Sequence, residues 1–130
     1  MSGAGEALRG AVVRALSEVD GIGRVYDAPP LTAAAPHALV EIDAEADWGH
    51  KSGAGRELRL AATLTGEGER PVRLRIAAGA AEAALRGLGG AIGGWQLVTM
   101  QHVRTREVRR PKGGGWAAVI EFRARLLASA

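Results

Sequence analysis

The chemistry-bearing residues of this chain are few and scattered. The three histidines, His37, His50 and His102, fall on three different predicted elements. A zinc site ordinarily brings at least one close ligand pair, and Asp47 with His50 is the nearest approach to one. With no cysteine in the chain, thiolate sites and disulfide staples are excluded. Ser17, Ser52 and Ser129 lack the Gly-x-Ser-x-Gly setting of an activated nucleophile; Ser52 has His50 two places before it. His50-Lys51-Ser52 resembles the end of a phosphate-binding loop, but that loop needs Gly before the Lys and a helix after the Ser. Here a strand follows. Glu41, Asp43, Glu45 and Asp47 alternate, so on a strand they would share a face and could hold a cation or raise one another's pKa. Calcium-loop spacing is absent, and the run reads as a solvated strand edge or a partner-facing acidic patch. No catalytic residue, metal site or cofactor is expected.

The sharpest electrostatic feature is Arg104, Arg106, Arg109, Arg110 and Lys112. Such a cluster can contact phosphates. It lacks the interleaved aromatics on which single-stranded bases stack, and Glu107 interrupts it. A solvated hairpin tip, a protein-docking arm and a small nucleic-acid-binding domain are its three readings. The last predicts DNA affinity that falls steeply with salt.

These residues need elements to position them. A chain of 130 residues, 47% hydrophobic, suffices for one domain with one modest core. Aromatics supply only 4%, so aliphatic side chains and alanine must do the packing. Net charge is +3 and the pI about 10.2, a small excess compatible with nearby nucleic acid or with plain solubility. Glu6, Arg9, Arg14, Glu18 and Asp20 interrupt any apolar leader, and no run approaches bilayer length. No membrane association is expected.

Leu8, Ala11, Val12, Ala15, Leu16 and Val19 recur at helical spacing, predicting a helix over about 5–19 that Gly21 and Gly23 stop. Val25 and Tyr26 form a short extended piece before Pro29 and Pro30. His37 to Asp43 and Arg56 to Thr65 alternate as strands joined by a glycine-rich loop. Pro71 opens a second helix reaching about Leu88, with an alanine-rich face suited to close packing. Trp95 to Leu127 then reads as two long strands around Pro111 and Gly113 to Gly115. Trp116, Ala118, Ile120, Phe122, Ala124 and Leu126 share the buried face. The expectation is a single α+β domain over 1–130: a mainly antiparallel four-stranded sheet, two helices on one face, and a projecting basic hairpin.

The succession ALRGAVVRAL, VYDAPPLTAAAPHALVEI, DWGHKSGAGRELRLAATL, RPVRLRIAAGAAEAAL and GWAAVIEFRARL resembles the tail terminator (tail completion, or head–tail joining) family of long-tailed phages. That family includes prophage and gene transfer agent versions. The resemblance covers nearly the whole chain and rests on order and spacing, since none of these stretches is a catalytic signature. It implies a non-enzymatic virion protein that forms a ring, commonly of six subunits, while free subunits can be monomeric. The ring caps the tail tube, stops its polymerisation and meets the head connector, or stopper. DNA passes through without sequence-specific binding, and assembly takes place in the bacterial cytoplasm. By position, the Asp47–Arg56 loop would reach a neighbouring subunit or a tube protein, with Asp47, Trp48, His50, Lys51 and Arg56 as its contact residues. The seam between subunits, or the lumen, is expected to use Glu41 and Asp43 on one side and Arg104, Arg106, Arg109, Arg110 and Lys112 on the other.

Overall fold

The computed structural model describes residues 3–49, 53–68, 70–111 and 114–129. The element order is α1 (Ala4–Ser17), β1 (Arg24–Tyr26), β2 (His37–Asp47), β3 (Gly55–Gly66), α2 (Val72–Arg86), β4 (Gly90–Ile92), β5 (Trp95–Arg109) and β6 (Trp116–Ala128).

The expected four-stranded antiparallel sheet is overturned. The sheet has six strands in the order β1-β2-β3-β6-β5-β4, and it is mixed, because β1 runs parallel to β2 from Arg24↔His37 to Tyr26↔Leu39. The four strands foreseen are its contiguous middle. The two added strands are only three residues long, too short to show a period of two. β4 is held by a tight turn at Gly93 and Gly94, with φ of 53° and 87°. Both central residues are thus left-handed, as the favoured two-residue hairpin requires.

The basic hairpin does not project either. β5 stays laddered to β6 as far as Arg109↔Trp116, level with the Gly66↔Trp116 pair that ends β3. Of the described residues between β5 and β6, Arg110, Pro111, Gly114 and Gly115 lie beyond the ladder.

One core lies between one sheet face and both helices. Leu8, Val12 and Leu16, each one turn apart, are fully buried on α1, and Leu74, Ala77, Ala78, Ala81 and Leu85 are buried on α2. They meet Ala38 and Val40 of β2, Leu58, Leu60, Ala62 and Leu64 of β3, and Ala118, Ile120, Phe122, Ala124 and Leu126 of β6. Each large side chain so buried contributes about 1.5–3 kcal/mol. Trp95 closes one end of the sheet, and Trp116 packs partly buried against the core.

β5 carries two bulges. Pairing steps from Leu97 to Thr99 and from His102 to Arg104, so Val98 and Val103 have no partner on β6. Each bulge absorbs one residue and resets which face the next ones take. His102, Thr105 and Glu107 therefore lie on the helix side. Arg104 and Arg106 lie on the bare side.

Candidate subunit interface

The bare face of the sheet is a grid of charges. Across it, Arg59 stands opposite Arg123, and Glu57 opposite Arg125. Glu121 pairs with Ala61 on one side and Arg104 on the other. Arg125 Nε donates to Glu57 Oε2 at 3.2 Å, and Arg123 Nη2 to Gln101 Oε1 at 2.5 Å. The Arg104 guanidinium donates to the Glu121 carboxylate. That bond, helped by the charges of Arg104, Arg106 and Arg59 and opposed by burial, holds Glu121 below the ordinary carboxylate range. Arg104 is correspondingly raised, first by the same bond.

Among the described residues, most of each outer edge of the four long strands is uncovered. β1 pairs β2 only at 37–39, leaving 40–47 open on that side. β4 pairs β5 only at 95–97, leaving 98–109 open. Backbone donors and acceptors on an open edge are a template for another strand. Val98, Val103 and Val108 are exposed along the β5 edge.

The proposed interface residues sort onto these features. Glu41 and Asp43 lie exposed on β2, with Asp43 at a register shift between Ile42 and Ala44. Arg104, Arg106 and Arg109 lie on β5. Acidic strand and basic strand are thus opposite margins of one sheet, with β3 and β6 between them, and do not meet within one chain. Arg109 is drawn in by its own Trp116, 5.5 Å from the ring centroid, and Arg110 Nη1 donates to the Gly114 carbonyl at 2.9 Å. His50, Lys51 and Lys112 lie outside the described residues.

What is described of the 47–56 loop is tightly closed. The Trp48 N–H donates to the Gly55 carbonyl at 2.9 Å, and Asp47 Oδ1 accepts from the Gly49 N–H at 3.1 Å. Trp48 is half-buried, with the Arg125 guanidinium 5.2 Å from its ring centroid, a cation–π distance. Arg56 grips Glu45 Oε2 through Nε and Nη2 at 3.2 and 2.8 Å. Gly55 packs so closely that a Cβ would stand 2.5 Å from the Trp48 carbonyl oxygen.

Sequence reading missed a polar cluster that ties α2 to β5. Arg86 Nη2 lies 3.1 Å from His102 Nδ1. An arginine can only donate, so Nδ1 accepts and the imidazole proton sits on Nε2. Nε2 lies 2.7 Å from Thr105 Oγ1, whose hydroxyl donates to Glu82 Oε2 at 3.1 Å. Further along, Arg75 donates to Glu107 through Nε at 2.5 Å and Nη2 at 3.0 Å. That pairing lowers Glu107. The available signal was Arg75, Glu82 and Arg86, whose seven- and four-residue spacing puts them on one side of a helix.

Among the described residues, no group of three His, Cys, Asp or Glu is close enough to hold a metal, and no helix is long and apolar enough to cross a membrane. Residues 6–127 match the family model described as tail completion protein gp17. The chain belongs to the tail completion protein gp17 family. No curated protein matches it. Among solved structures it is similar to a chain of the virion of a native gene transfer agent particle. That likeness has a TM-score of 0.78 and 27% identity, covering 98% of this chain and 100% of that one. This family member is a structural protein of a phage-like particle.

Proposed function

We propose that the protein closes into a ring at the head–tail junction, of six copies as the family resemblance implies. The ring caps the tail tube, stops its growth and presents a surface to the head connector. The observation that carries this reading is the pair of open sheet margins with opposite charge. A closed ring needs two different surfaces on each subunit that fit one another. The β5 margin offers Arg104, Arg106 and Arg109. The β2 margin offers Glu41, Asp43 and Asp47. Joined margin to margin, the sheets would keep every helix on one side and every bare face on the other. With helices outward, the bare face would line the hole. There Arg59, Arg106, Arg123 and Arg125 are offset by Glu41, Glu57 and Glu121, so passing DNA would not be clamped. The bulges at Val98 and Val103 interrupt the open ladder, which restricts pairing to a partner of matching register.

Charge reversal tests the seam. Arg106→Glu should abolish particle-bound rings and leave tails that overrun their length and fail to join heads. Adding Asp43→Arg should restore both. Light scattering and electron microscopy of particles read the result; a single variant that assembles like the wild type places the seam elsewhere. The alternative, a small nucleic-acid-binding domain using the 104–112 hairpin, predicts DNA affinity that falls steeply with salt. A salt-titrated DNA-binding assay distinguishes it.

A further inference from the structure

The polar cluster between α2 and β5 takes no part in the ring reading, and its geometry fixes the state of one titratable group. The His102 side chain is 19% exposed, whereas that of Arg86, in the last turn of α2, is 55% exposed. The bonds run in one direction. Arg86 donates to His102 Nδ1, the Nε2 proton goes to Thr105 Oγ1, and the Thr105 hydroxyl donates to Glu82 Oε2. An arginine has no lone pair to offer, so this arrangement holds only while the imidazole is neutral. Histidine is the side chain whose ordinary titration falls between about pH 5 and pH 8.

A second proton would go to Nδ1, the nitrogen on which Arg86 rests. Nδ1 would then be a donor, and two cationic groups would stand 3.1 Å apart. The groups that can respond are few. From α2 the facing charges are Arg86 and Glu82, whose Oε1 lies 3.6 Å from His102 Nε2 and 3.8 Å from Arg86 Nη2. From β6 the neighbour is the uncharged Phe122 ring, with 5.2 Å between centroids; Glu121 and Arg123 on either side of it point to the bare face. Along β5, Thr105 is neutral, Arg104 lies on the bare side, and Glu107 is bound by Arg75. Arg86 is at the surface on a long stem and can leave. Glu82 is 19% exposed and is placed to close on an imidazolium.

We infer that His102 is a proton-operated switch for Arg86. The neutral ring ties the last turn of α2 to β5 through Arg86. The protonated ring releases Arg86 and carries the tie through Glu82, one turn earlier. The switch sits at the second bulge, where pairing steps from His102 to Arg104, so it changes which turn of the helix braces the open rim. Glu41, Asp43 and Arg106 are not involved, and the inference stands or falls apart from the proposed seam.

Nitrogen NMR of the isotopically labelled full chain tests it. Above the imidazole transition, His102 should show a bare Nδ1 and a protonated Nε2. As pH falls through that transition, proton exchange at the Arg86 guanidinium should speed up about tenfold relative to that of exposed Arg73, the loss expected for one hydrogen bond to a charged group. Titration of His37, whose Nδ1 lies 3.2 Å from the Ala34 carbonyl oxygen, should leave Arg86 unchanged. Two variants separate a switch from a merely structural contact. Arg86→Met removes the opposing cation and should move the His102 transition to higher pH; Glu82→Gln removes the acid that receives the imidazolium and should move it to lower pH. A neutral His102 protonated at Nδ1, an Arg86 signal indifferent to the His102 transition, or shifts of the same sign in the two variants would each overturn the inference.

Discussion

Replacing Gly23 by alanine should unpick one corner of the molecule, and the size of the effect can be worked from the structure. Gly23 has φ of +80°, and a Cβ there would lie 2.0 Å from the Pro36 carbonyl oxygen. The left-handed backbone alone costs an alanine about 1–2 kcal/mol. The collision cannot be relieved by turning a side chain, because the atom met is backbone. Gly23 and Pro36 must part, and β1 begins at the next residue. Losing its short parallel ladder removes a few backbone hydrogen bonds worth about 1 kcal/mol each. The total is about 3–5 kcal/mol. Gly68 supplies an internal control: its φ is +97°, with nothing within 4 Å of the added atom. Gly68→Ala should therefore cost only the backbone share. Urea titration with a constant slope would read both values. In thermal melts each kcal/mol is worth about 3–5 °C for a domain of this size. If the two variants agree to within about 0.5 kcal/mol, the approach of Gly23 to Pro36 does not constrain the fold and the reasoning fails.

Two further outcomes follow from the core and from the ion pairs. Phe122→Ala, at the centre of β6 and fully buried, should cost about 3–5 kcal/mol and lower the urea midpoint without changing which copies associate, as urea melts and light scattering would show. Glu107 and Glu121 are lowered from their ordinary value of 4.5, so what they contribute is fully present above that value and lost as pH falls through their lower folded values. Between about pH 5 and pH 3 the melting temperature should drop less for a Glu107→Gln/Glu121→Gln variant than for the wild type; equal drops would show that these pairs do not govern the acid limb.

Long periodic elements were legible because burial writes itself into spacing. α1, α2, β2, β3 and β6 each place apolar residues at the interval their geometry demands, and the inward sets of the three strands are those the alternation indicates. β1 and β4 were not legible. Three residues carry no period, and β1 pairs in parallel with residues thirteen positions on, Arg24 with His37 to Tyr26 with Leu39, which no local pattern reveals. β5 misled for a different reason. Its inward face turns polar after Met100, because Arg75, Glu82 and Arg86 of α2 offer it partners in place of a core. From sequence alone, such a strand looks like an arm leaving the domain. Of the candidate site, residue types were legible but their mutual placement was not: Arg104 next to Glu121 depends on a register that no local pattern reveals.

Val98 and Val103 act as spacers: what matters is that β6 spares them no partner, so each occupies length without occupying a slot. Were either one deleted, Leu97 would be followed directly by Thr99, or His102 by Arg104, and every other side chain would keep its side of the sheet. Single-residue length variation at these two sites is thus invisible to the hydrophobic interior. A deletion of Val98 or Val103 should therefore change the local twist of the rim and leave the inside untouched.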